Sequence, residues 1–162
     1  MRLPGLPSAL AALLVLAGPA PSPAQPSSGP TTELSPELRA AFIAEMQHLD
    51  TGLQRALSAV AGGDWAVVER TAHQIRDSFI LEQQLSAEQR AELHRVLPDA
   101  FLALDREFHD HAGRLAQAAR RADAELAAFY TYRLVDGCVT CHGRYARHRF
   151  PGLAGAPQAE HP

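Results

Sequence analysis

Apolar residues in this chain return at steps of three and four, and nowhere do they alternate with polar ones as in a half-buried strand. Residues three and four apart share one face of a helix, so each such run predicts a helix with a stripe to bury. Four runs are legible. Ser35-Pro36-Glu37 opens the first with a cap, a proline in the first turn and an acid at the positive end of the dipole. Its stripe is Phe42, Met46, Leu49, Leu53, Leu57 and Val60, and Gly62-Gly63 stops it. Asp64 caps the second, which carries Trp65, Val68, Ala72, Ile75 and Phe79. The pattern then blurs, and Ser86 with Gln89 resembles a capping box for a short extra helix over 87–97. The third long run holds Phe101, Leu104, Phe108, Ala112 and Leu115, ending around Arg120. Asp123 caps the last, whose face includes Leu126, Phe129 or Tyr130, Leu134, Cys138 and Cys141, running to about Arg147. Four amphipathic helices of about 20–25 residues with short links predict an all-α fold, an antiparallel four-helix bundle over residues 35–150.

The last helix carries Cys138-Val139-Thr140-Cys141-His142. Cys-x-x-Cys-His is the attachment signal for a c-type haem. Two thiols add to the haem's two vinyl groups, and the following imidazole faces the iron. In a helix, positions i, i+3 and i+4 meet one flat macrocycle together. A structural zinc site needs four ligands, and these are the chain's two cysteines. A thioredoxin-like dithiol needs a strand–helix setting. The expected cofactor is therefore one covalent haem c per chain, on the C-terminal helix, with Cys138 and Cys141 as thioethers and His142 as the proximal iron ligand.

All fifteen basic residues are arginine, and the net charge of −3 argues against a nucleic-acid surface. Arg2 followed by the apolar stretch Leu6 to Ala17 reads as a secretory signal, too short to span a membrane, with cleavage after Ala24. Residues 1–24 are thus expected as a signal peptide, 25–34 as a flexible linker and 151–162 as a disordered tail. An exported bacterial protein with no span in its mature chain belongs in the periplasm, where c-type haem is attached. The cluster Arg144, Arg147, His148 and Arg149 reads as a solvated helix end, with an acidic redox partner as the functional alternative.

With the motif near the C-terminus and no methionine after it, the chain resembles the class II c-type cytochromes, the cytochrome c-prime group, over about residues 36–150. The resemblance implies a periplasmic bundle with haem on its last helix. The family motif continues to an aromatic and a basic residue. Tyr145 matches the aromatic, placing it against the haem, whereas Ala146 stands in the basic position and Arg147 follows.

The family divides by its sixth iron position. Low-spin members fill it with a first-helix methionine and carry electrons, an arginine standing seven residues before that ligand. Arg39 and Met46 have this separation, and Met46 is the sole methionine after the initiator. Met46 is accordingly expected as the distal ligand, against its reading as a core filler, and Arg39 as a propionate contact. His48 reads as surface and His73 and His94 as partly exposed; His109 and His111 flank the Phe108 stripe, His111 being the one placed to line the core, and neither is expected as the sixth ligand. The expected function is a monohaem electron carrier, not an enzyme, serving redox partner proteins; dimerisation is left open. The alternative is a five-coordinate haem protein that binds nitric oxide or carbon monoxide.

Overall fold

The computed structural model describes residues 29–78 and 85–153. The expected signal peptide, residues 25–28 of the linker, Phe79 and residues 154–162 of the tail lie outside the described residues. Those described form an all-helical fold of five α-helices, with no strand among them.

Helix α1 spans Pro36–Gly62, with Pro36 in its first turn. It closes at Gly63, whose φ of 69° is the left-handed geometry a C-terminal glycine adopts without penalty. The Gly63 and Asp64 amides return to the carbonyls of Val60 and Ala59, satisfying the last turn. Asp64 at once caps α2, Trp65–Asp77, by accepting from the Val67 amide at 3.1 Å. One short link therefore ends one helix and starts the next. At 13 described residues, α2 is shorter than the expected 20–25.

The capping box forms as read from the sequence. The Ser86 hydroxyl accepts from the Gln89 amide and the Gln89 side chain from the Ser86 amide, opening α3 over Ala87–Val96. Helix α4 runs Asp99–Arg120 and α5 runs Ala124–Tyr145, two residues short of the expected end. Asp123 caps α5 through the Leu126 amide at 3.0 Å. The turn before it repeats the α1 ending, with Ala122 and Asp123 donating to Ala119 and Ala118. Here alanine rather than glycine occupies the left-handed position, at φ 51°.

Helix α1 packs on α2 and α5, and α4 packs on the same two, so each of the four has two neighbours. Small residues allow close approach: Ala112, Ala116, Ala118 and Ala119 of α4 are all buried. The apolar core divides in two. One cluster joins Leu49, Ala56, Val68, Ile75, Phe108, Leu115 and Leu134; the other joins Leu34, Leu38, Phe42, Leu93, Leu97, Phe101 and Leu102.

Two expectations change here. Residues 30–33, within the expected linker, form a 3-10 turn, and Leu34 is only 2% exposed in the second cluster. Arg39 holds that segment, donating Nη2 to the carbonyls of Thr32 (2.6 Å) and Leu34 (2.9 Å). Burial of Leu34 against α3 gives the segment a packed place that its Pro-, Ser- and Thr-rich composition conceals. The buried stripe of α1 is also rotated. Leu38, Phe42, Glu45, Leu49, Ala56 and Ala59 face inward, while Met46 and Leu57 are exposed.

Candidate functional site

The motif occupies the last two turns of α5, and its residues stand where the core divides. Cys138 packs against the first cluster, beside Phe108 and Leu134; Cys141 and Tyr145 pack against the second, beside Phe42 and Phe101. Both cysteines are free thiols, half-buried. Burial raises the Cys138 thiol above its ordinary pKa, with Asp50 adding to the effect. Cys141 is pushed up to about 12 by burial first, then by the nearby Asp105 and Cys138. Both thiols are thus kept protonated.

His142 is half-buried, its imidazole stacked on the Phe150 ring at 4.1 Å with 6° between the planes. Burial lowers its pKa, and Arg149 lowers it further. The neutral imidazole so favoured is the form that ligates a metal. Tyr145 presents its ring edge-on to Phe101, 5.1 Å between centroids. The arginines around it are engaged locally: Arg147 donates to the Gly143 carbonyl, and the Arg144 guanidinium lies 6.0 Å from the Tyr145 ring centre.

The residues expected on α1 are placed differently from one another. Met46 is 39% exposed and points off the core face. It follows Phe42, which shares a cluster with Cys141, and precedes Asp50, whose charge reaches Cys138. Arg39 is engaged with the preceding segment as described above, rather than turned toward the motif through that Nη2.

At the division in the core lies a group that sequence reasoning did not assemble, naming His109 alone. Glu45 of α1 is 5% exposed and His109 of α4 is 4% exposed. His109 Nε2 lies 3.8 Å from Glu45 Oε1 and 3.9 Å from Asp105 Oδ1, and its Nδ1 is 2.8 Å from the Ile75 carbonyl of α2. Burial pushes the Asp105 carboxyl up to about 7, with Arg106 pulling it down. Glu45 follows Phe42 by three residues and precedes Leu49 by four, so it satisfies the stripe spacing. Its charge disguised it. Asp105 and His109 are four apart on α4, the one signal of a facing pair.

His48 is exposed and His73 intermediate, as expected, whereas His94, expected as partly exposed, is exposed. His111 belongs to an outer network in which Arg133 donates to Glu107, Asp136 and the His111 Nε2. Among the described residues no group of three or more His, Cys, Asp and Glu could hold a metal ion by itself, and no helix is long and apolar enough to cross a membrane.

Comparison of the chain with family models, with curated proteins and with solved structures finds no match.

Whether the donor set fits a covalent haem follows from its own chemistry. Two protonated thiols three residues apart and an adjacent neutral imidazole share one end of α5, half-accessible and beside apolar surface from α1 and α4. A macrocycle carries its own iron and needs only axial ligands, so the lack of a three-ligand cluster is compatible with it. The residues fit the group.

Proposed function

We propose that this protein is a c-type cytochrome of the periplasm, an antiparallel four-helix bundle of α1, α2, α4 and α5 that carries electrons. The observation that carries this reading is the position of the Cys138–Cys141–His142 set at the break between two apolar clusters. A flat apolar group needs such a boundary to enter a bundle without displacing a continuous core. Cys138 and Cys141 would hold the haem by thioethers, and His142 would present its imidazole to the iron. When bound, the haem supplies one-electron redox chemistry.

The chain's part is to bind, orient and shield. Phe150 fixes the plane of His142 by stacking, and Phe101 holds Tyr145 at the end of the same helix. Phe108, packed against Gly137, sets the spacing between α4 and the thiol-bearing turn: a Cβ on Gly137 would lie 3.1 Å from its ring. Such packing limits geometric change between oxidation states, which suits electron exchange with a redox partner protein. The exposed Arg144, Arg147 and Arg149 beside the motif give a basic margin that suits an acidic partner.

The five-coordinate, gas-binding reading is favoured by one observation, the outward position of Met46. The spectrum of the exported, reduced protein before and after carbon monoxide separates the two. Sharp low-spin bands indifferent to the gas are expected for the carrier. Broad bands that shift at once would replace it by the gas-binding protein. A matured protein without covalent haem would end both readings.

A further inference from the structure

Helix α5 ends at Tyr145, one turn past His142, and the chain then folds back over the motif. We propose that this turn, residues 146–153, is part of the haem site, with Phe150 as the positioning residue that sets the plane of the His142 imidazole. The proposal deepens, and rests on, the reading of Cys138, Cys141 and His142 as the haem-attachment set.

The backbone reversal is the first support. A helix continued from His142 to Phe150 would carry the second ring roughly 12 Å along the axis, out of reach of the first. Ala146, at φ −131°, leaves the helix after its amide donates to the His142 carbonyl at 3.0 Å. The amides of Arg149 and Phe150 then both return to the Ala146 carbonyl, at 2.8 and 3.1 Å, and the Leu153 amide donates to the Phe150 carbonyl at 3.0 Å. Pro151–Leu153, expected as the start of a disordered tail, forms a 3-10 turn. The outcome is a parallel stack, with the two ring centres 4.1 Å apart and 6° between the planes.

The anchoring of the turn is the second support. Arg147 donates Nε to the Gly143 carbonyl in the last turn of α5. Leu153 lies over the same residue: a Cβ on Gly143 would stand 3.7 Å from the Leu153 Cβ, in ordinary contact. From the other side, Gly29 lies against the Tyr145 carbonyl and the His148 ring. Phe150 itself is a member of neither apolar cluster and stays 39% exposed. Burial in the core therefore does not account for the place of its ring. Contact with His142 does.

The resemblance puts the aromatic neighbour of the site at Tyr145, yet that ring meets Phe101 edge-on within the second cluster. The ring on the imidazole comes from beyond the motif. A ligating histidine needs its ring held at a fixed angle about the iron–nitrogen bond, and contacts around the ligand set that angle. A flat ring on one face sets it by contact, because the imidazole cannot rotate without striking Phe150 or parting from it. The same ring keeps water from that face, and a drier site disfavours the more highly charged ferric state.

The test compares the haem-loaded protein with variants at Phe150. Phe150→Tyr keeps a flat ring and should preserve the g-values of the ferric form in electron paramagnetic resonance. Phe150→Leu keeps apolar bulk without a plane and should shift or broaden them. Phe150→Ala also admits water, and its reduction potential should fall besides. A merely structural role would lower the urea midpoint of the Leu and Ala variants while leaving the g-values unmoved, and that result overturns the proposal. If those variants do not fold, the unaltered protein decides. Nuclear Overhauser contacts between the Phe150 and His142 rings are expected in the reduced, carbon monoxide-saturated form, and their absence overturns the assignment. Absence of covalent haem by mass spectrometry refutes the underlying reading, and this proposal with it, whereas haem with unmoved g-values refutes the proposal alone.

Discussion

Replacing Asp105 by Asn tests whether burial or ion pairing governs the polar group in the core. Burial pushes the Asp105 carboxyl from its ordinary 3.8 up to about 7, Arg106 opposing. The folded chain then holds this proton more tightly than the unfolded chain does. Between those two values the unfolded state has lost the proton while the folded state keeps it, so stability falls as pH rises through that window and levels off above it. The difference between 3.8 and about 7, at about 1.36 kcal/mol for each tenfold change in proton affinity, sets an upper bound of roughly 4 kcal/mol. Urea unfolding of both proteins, followed by circular dichroism at several pH values from about 4 to 8, isolates the effect by subtraction. Groups elsewhere in the chain are common to both proteins, and their contributions largely cancel in the difference. The Asn variant should match the unaltered protein near pH 4 and exceed it increasingly toward pH 8. A constant difference would refute the reasoning. An unaltered protein that gains on the variant as pH rises would show instead an ionised Asp105 paired with a charged His109, 3.9 Å away.

Three further outcomes are expected. Ala122→Gly relieves the left-handed backbone at φ 51° and should raise stability by about 1 kcal/mol, read as an increase in the urea midpoint at unchanged slope. Leu134→Ala empties a fully buried position beneath the motif and should cost about 2–5 kcal/mol in the same assay. In the haem-free folded chain near pH 8, a Cys141 thiol at about 12 should react with iodoacetamide some thousandfold more slowly than an ordinary exposed thiol, by time-resolved mass spectrometry. Equal reactivity in folded and urea-unfolded chain would show that the thiol is not shielded.

Helix ends were legible because they are local chemistry. Pro36, Gly63, Asp64, the Ser86–Gln89 box and Asp123 each act within about four residues of themselves, and the helices begin and end beside them. The motif was equally plain, since its spacing alone brings two thiols and an imidazole to one helical face. The Leu34 segment was not legible. Its place depends on Leu93 and Leu97, about sixty residues away, and on the Ser35 amide donating to the Glu92 carboxylate at 2.5 Å.

The sequence by itself determined that this chain is helical, where its helices are punctuated, and which three side chains, Cys138, Cys141 and His142, share one helical face at the spacing of a haem-attachment signal. Only the tertiary structure decided which way α1 faces. Adjacent residues on a helix stand about 100° apart, so Glu45 and Met46 both satisfy the spacing around Phe42 and Leu49. Hydrophobicity favours Met46, yet Glu45 lies inside because α4 sets His109 opposite it, and a buried carboxylate is tolerated only where a polar partner waits. That partner is sixty-four positions away in the chain, a separation no local pattern can read.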